Sequence, residues 1–380
     1  DALAGTTTID ASSVQTLTGS ASEVAASYAS TTISGLGDEA VTLSGTEATA
    51  ADLNSIDFTS GTINASTVTL VTGSAAATAQ AYNSTGITGL GDEAVTLSGT
   101  EAAASDLNSI AADTSGAINA TSVTLVTGAA AAVTMALQAT GISGLTNPAV
   151  TLSDTSLAAT ALDALNGLTT GEINAGTVLT LTGTAAQVTA TYGATGVTGL
   201  GNEAVTLSDT SLAASELNTL DGKTTGTINA ASVATLTGSA SEVALSYGSQ
   251  QITGLGSSAV TLNDSTLSAT ALTELDGKTI GTIDASSVAN VTGSVTDFAA
   301  IYASEQIIGL STRSLTLSDT TANASALNVI NAGTTGTLDA SSVLILTGSA
   351  ADVATSYAAS GITGLGNEAV TLSGTTVAAS

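Results

Sequence analysis

INAASVATLTGSASEVALSYGSQQ (228–251) runs directly into ITGLGSSAVTLNDSTLSATALTELDGKTIGT (252–282), and this pair of segments decides the fold. Each begins with Ile, passes through an apolar stretch ending in Thr-Leu, crosses a polar turn and closes in an Ala-rich segment. The second segment is the longer of the two. The pair recurs along the chain, with units opening at Ile9, Ile63, Ile118, Ile173, Ile228, Ile283 and Leu338, the last one truncated. Six tyrosines keep the same register: Tyr28, Tyr82, Tyr192, Tyr247, Tyr302 and Tyr357, with Leu137 in the one skipped slot. A fixed period carried by such a scarce large side chain marks a tandem array. The chain therefore reads as one continuous array over residues 1–380 rather than a set of separate domains.

Local signals supply the elements. Val233 to Thr237 is β-branched and alternating, which predicts a short strand, and the Ile-Asx pair opening each unit predicts another extended piece. Ser20 with Glu23 and Ser239 with Glu242 match a capping box, in which the Ser side chain accepts the third backbone N–H and the Glu reaches back. Ser294 with Asp297 and Ser349 with Asp352 are variants of it. Val243 and Tyr247 then place one apolar stripe on a helix of two or three turns. In the longer segment Leu212, Leu217 and Leu220 take that part. Asp221-Gly222, Asn166-Gly167 and Asp276-Gly277 are expected to stop the helix with Gly in the left-handed conformation. Helices this short need a neighbouring layer to hold them. The expectation is an α/β repeat solenoid of stacked parallel strands and short helices, with two unequal strand–helix coils per unit. A right-handed parallel β-helix is the alternative.

Composition narrows the function classes. Lys and Arg number 3 against 31 Asp and Glu, a formal charge of −28. Binding to nucleic acid depends on clustered cations, and the chain has none to cluster. The acidic surface instead suits divalent cations or basic partners. The chain has no Cys and no His, which removes disulfides, thiolate sites and the usual catalytic bases and nucleophiles. No apolar run reaches the roughly 18 residues of a membrane span. The opening DALAGTTTID has neither a charged n-region nor an apolar h-region. The expectation is a removed signal or an excerpt of a longer chain.

Several columns invite a site. Asx follows the opening residue in every unit, at Asp10, Asn64, Asn119, Asn174, Asn229, Asp284 and Asp339. Free interchange of Asn and Asp points to an Asx-turn stacked into a ladder between coils, not to a cation column. Asp38-Glu39 and Asp92-Glu93 soften to Asn202-Glu203 and Asn367-Glu368, and elsewhere the slot holds Asn147-Pro148, Ser257-Ser258 or Thr312-Arg313. A solvated turn is expected there, with weak calcium binding at Asp38, Glu39, Asp92 and Glu93 as the alternative. The Tyr column is expected to pack between layers with its hydroxyl near the surface, and Leu137 supports packing. Gly-Leu-Gly at Gly35 and Gly89 lacks the glycines of a phosphate loop. Lys223 and Lys278 share a register after the Asp-Gly stop, and sequons such as Asn64-Ala65-Ser66 arise cheaply in a Ser/Thr-rich chain.

Units such as TGTINAASVATLTGSASEVALSY and GITGLGNEAVTLSDTSLAASELNTLDGKTTG resemble the tandem-repeat regions of very large bacterial extracellular and cell-surface proteins, especially those of marine cyanobacteria. The resemblance covers essentially the whole chain and implies secretion, surface attachment and a structural, adhesive or motility-related role. It carries over no functional residues. The resulting expectation is a non-enzymatic rod or filament segment without cofactor, associating with itself or with neighbouring repeats. A calcium-dependent adhesin or ligand-binding module is the alternative. A polysaccharide-active β-helix enzyme would need long acid-bearing insertions, and the unit openings keep a nearly constant spacing that leaves no place for them.

Overall fold

The computed structural model describes residues 7–59 and 61–374, so part of the opening decapeptide and the last six residues lie outside the description. The chain packs as two compact units. One comprises Asp1–Thr180 and Thr191–Leu200, the other Leu181–Ala190 and Gly201–Ser380. Each is an α/β repeat solenoid of short parallel strands alternating with helices of eight to ten residues.

In the second unit the shorter coil contributes strands Ile228–Asn229 and Thr235–Gly238 and the helix Ala240–Gly248. The longer coil contributes three strands, Ile252–Thr253, Ala259–Leu262 and Thr266–Ser268, then the helix Ala269–Asp276. A coil is thus richer in strand than one strand and one helix. Pairing is parallel throughout, with Ile228 against Ile252, Thr235 against Ala259, Val260 against Ile283 and Thr266 against Asn290. Each partner lies one coil further along the chain, so the backbone winds twice for every sequence unit. The additional residues of the longer coil accommodate its third strand, which pairs only forward. Sheets therefore begin at a third strand and end four strands later. One holds 211–213, 235–238, 259–262, 283–284 and 307–308, and the next starts at 266–268. The first unit follows the same plan, with sheets beginning at 47–49 and 101–103.

The core is a layer of small and branched side chains between strands and helices. Ile228, Ala230 and Leu236 are fully buried beside Ala214, Leu217, Leu220 and Val243. Ser20, Ser239 and Ser294 close complete capping boxes, and Ser74 caps through Ala77 N–H alone. Ser349 accepts from Asp352 N–H.

Three details depart from the sequence reading. The strand predicted from Val233 begins at Thr235, and the buried Val233 precedes it. Leu212 lies in the strand Ser211–Ala213, so the helical stripe is Ala214, Leu217 and Leu220. Gly167, Gly222 and Gly277 have φ of −77°, −72° and −72°, right-handed and not left-handed. Their N–H groups bond back to helix carbonyls, and the helices end at Asn166, Asp221 and Asp276, the residues before these glycines. No helix among the described residues is long and apolar enough to cross a membrane.

Candidate functional site

The polar columns are the places where chemistry could reside, and the structure shows what each side chain touches. All seven Asx residues form the expected turn: the side-chain Oδ1 accepts the N–H two residues on, at 2.9–3.1 Å. They do not stack on one another. Asn229 lies between Thr206 and Thr253 in register, and Asp284 between Thr261 and Ile308, so no Asx faces another. The hydroxyl of the following coil donates to the opening residue's carbonyl, Thr88 to Ile63 at 2.9 Å and Thr253 to Ile228 at 3.2 Å. The Asn64 sequon residue is engaged in this way, its Oδ1 3.1 Å from Ser66 N.

The acidic turn is not a solvated one. Asp38 and Asp92 are not buried, but Glu39, Glu93 and Glu203 are only 2%, 1% and 1% exposed. Each such pair is split between solvent and interior. The Tyr28 hydroxyl donates to Glu39 Oε2 at 2.9 Å and the Tyr82 hydroxyl to Glu93 Oε2 at 3.0 Å. The glycine two residues before each glutamate donates its N–H to both carboxylate oxygens, from Gly37 at 3.1 and 2.9 Å and from Gly91 at 3.0 and 2.8 Å. Burial opposes the charge of Glu39, yet these donors outweigh it and hold the carboxyl below its ordinary value. Burial, then the Glu39 bond and charge, push the Tyr28 phenol well above its own. Tyr357 repeats the latch with Glu368 at an exposed site.

This geometry corrects the meaning of Leu137. The latches Tyr28–Glu39, Tyr82–Glu93 and Tyr357–Glu368 share one spacing, and the same step beyond Leu137 leads to Pro148, whose side chain cannot accept a phenol. Tyrosine and glutamate are lost together there. Where Ser258 fills the acid slot, Tyr247 donates to the Leu255 carbonyl at 3.1 Å. Where Arg313 fills it, the Tyr302 hydroxyl is buried without a hydrogen bond, and the Arg313 guanidinium donates to the Ser286 carbonyl at 2.9 Å. Tyr28, Tyr82, Tyr247 and Tyr302 are half-buried and Tyr357 is exposed, and the hydroxyl is a working donor in the latch.

Two further polar columns carry structural roles that the sequence shows only as a regular spacing. Thr114, Thr169, Thr224, Thr279 and Thr334 are buried. The hydroxyl donates to a carbonyl near the start of its own coil, 2.8 Å from Thr114 to Glu93 and 3.1 Å from Thr224 to Glu203, and accepts the N–H of a glycine two residues on. A Cβ on that glycine has no room: at Gly116 it would lie 2.0 Å from the Glu93 carbonyl oxygen. Asp154, Asp209, Asp264 and Asp319 accept the first N–H of a helix one coil earlier, at 2.7–2.8 Å. Negative charge there complements the helix dipole.

Other singled-out residues serve the backbone. Gly35 and Gly89 have φ of +85° in turns, and a Cβ at Gly35 would meet Ser12 N at 2.6 Å. Lys223 and Lys278 are exposed. Among the described residues, no three carboxylates come together in a group suited to a metal ion. Of Asp38, Glu39, Asp92 and Glu93, calcium would find only the two aspartates open to solvent, with both glutamates already engaged. No protein family, curated protein or solved structure matches the chain.

Proposed function

We propose that this chain is a non-enzymatic structural segment of a bacterial extracellular or cell-surface array, serving as a rod or filament element that spaces or connects other parts. One observation carries the proposal: the repeated polar side chains that could do chemistry are used to hold the backbone, within a coil at the Asx turns and the threonine column and between coils at the latches and the capping aspartates. The Asx turns, the threonine column, the tyrosine–glutamate latches and the helix-capping aspartates all bond to backbone or to one another. Repeat arrays gain stability from each added neighbour interface, so length can be varied without redesigning a site. The acidic composition keeps such a surface soluble. The calcium-dependent adhesin reading is less well supported, because the glutamates it would use are already satisfied.

Negative-stain images of this chain expressed as one, two and four tandem copies test the proposal. A constant increment in particle length per copy is expected; compact globules at every copy number would sink the structural role. Fractionation of the source cells with an antibody tests the location, and a purely cytosolic signal removes it.

A further inference from the structure

The geometry points to a second copy of this chain as the occupant of the groove between the helices Val295–Ala303 and Ala324–Gly333, with Phe58 of that copy as the inserted side chain. The groove has a volume of about 700 Å³, and Val295, Ala299, Ala303, Ala326, Val329 and Ala332 line it alongside Tyr302. Val329 is 73% exposed.

The array supplies its own comparison, because equivalent positions recur in each unit. The position of Val329 holds Ser55, Ser109, Ala164, Thr219 and Glu274 in the preceding units. That of Ala326 holds Asp52, Asp106, Ala161, Glu216 and Ala271, and that of Ala303 holds Ala29, Asn83, Gln138, Gly193 and Gly248. Only the interval from 295 to 333 is apolar at all three. In an earlier interval the corresponding pair, Asn83 and Ser109, closes the gap with a 3.0 Å hydrogen bond. Ala303 and Val329 leave the same gap open and apolar.

Phe58 is the opposite departure. It sits on the helix Ala50–Thr59 and is 91% exposed, the highest value among the exposed large hydrophobic residues. Its register position is otherwise Ala112, Gly167, Gly222, Gly277 or Ala332, all small. Burying such a ring removes a large apolar surface from water, which is favourable. One large apolar knob and one apolar groove, each breaking a pattern the rest of the array keeps, are complementary.

The acidic surface as a whole suits basic partners, but the groove itself sets no acid against another copy of the chain. The chain carries −28, and Asp52 and Asp57 share the helix that carries Phe58. A groove with acids at the Asp106, Glu216 or Glu274 positions would repel that helix, and in this interval those acids are absent. A cationic partner would gain from keeping them. Because knob and groove are different patches, the contact is heterologous and can propagate from copy to copy. The inference extends the structural reading, and its failure leaves that reading standing.

Sedimentation velocity near physiological ionic strength over a concentration series tests it, with Phe58→Ala, Val329→Glu and their equimolar mixture. Both substitutions are at exposed positions and install residue types the array already carries in that register. Wild type is expected to form an open, concentration-dependent series. Each variant alone should associate at least tenfold more weakly. The mixture should form a one-to-one dimer and nothing larger, since one variant keeps the groove and the other the knob; that pairing also shows both are folded. A wild type that stays monomeric, a single variant that associates like wild type, or a mixture that fails to pair overturns the inference. A monomeric wild type whose groove binds an apolar dye, with binding lost in Val329→Glu, assigns the groove to an apolar ligand instead.

Discussion

Replacing Tyr82 with Phe deletes one hydroxyl and leaves the ring, so it isolates the 3.0 Å bond to a glutamate that is 1% exposed. A hydrogen bond to a charged group contributes about 1.5–3 kcal/mol. Gly91 N–H continues to hold both oxygens of Glu93, which puts the loss near the lower end, about 1.5 kcal/mol. That corresponds to roughly a tenfold rise in the local opening equilibrium. A repeat array can open regionally, so hydrogen exchange followed by mass spectrometry over residues 82–97 suits the measurement better than one global midpoint. Tyr302→Phe is the internal control. Its hydroxyl is buried without a partner, and removing an unsatisfied polar group should leave exchange over 302–317 unchanged or slower. Equal effects at the two tyrosines, or a change under twofold at Tyr82, would refute the claim that the acid slot decides what the tyrosine does.

The same latch has a pH signature. Glu39 has a folded value below its ordinary 4.5, so its contribution is complete above that value and disappears as pH falls through the lower folded one. Exchange over residues 28–43 should be flat from about pH 7 to 5 after correction for intrinsic rates and rise below about 4.5; Glu39→Gln should flatten that rise. Gly116→Ala forces a Cβ to within 2.0 Å of the Glu93 carbonyl oxygen and should cost about 2 kcal/mol or more in denaturant melts. Gly248→Ala at a helix end, where a Cβ meets nothing within 4 Å, should instead stabilise by about 0.5–1 kcal/mol. Ser239→Ala removes a complete capping box and should cost about 1 kcal/mol, read as faster exchange in the helix Ala240–Gly248.

Much of the fold was legible because its signals are local. A capping box and an Asx turn each close within a few positions of the chain. Ser239 with Glu242 and the opening Asx residues were therefore readable without knowing what lay beside them. The register of Tyr and Ile exposed the array by counting alone. The candidate site was less legible. Glu39 and Asp38 are adjacent acids in a turn, and nothing local distinguishes the one that stays open to solvent from the one that goes inside. The signal that could have separated them was the pairing at the latch spacing, where every Glu in the slot is preceded by Tyr and Pro148 by Leu137. The aspartates at 154, 209, 264 and 319 were readable as a column, but not as caps, because each acts on a helix in the coil before its own.

By itself, then, the sequence determined the period, the element types and the helix starts, since backbone propensity and side-chain-to-backbone bonds act over short stretches of chain. Only the tertiary structure decided the register in which the two expected coils pair, Ile228 against Ile252 and Val260 against Ile283, and that the longer coil carries a third strand. The winding is set by how strands stack and by the third strand of the longer coil, not by the repeat length. The tertiary structure also decided which acids are buried, because desolvating a carboxylate is tolerable only where the fold brings a phenol and an N–H to meet it.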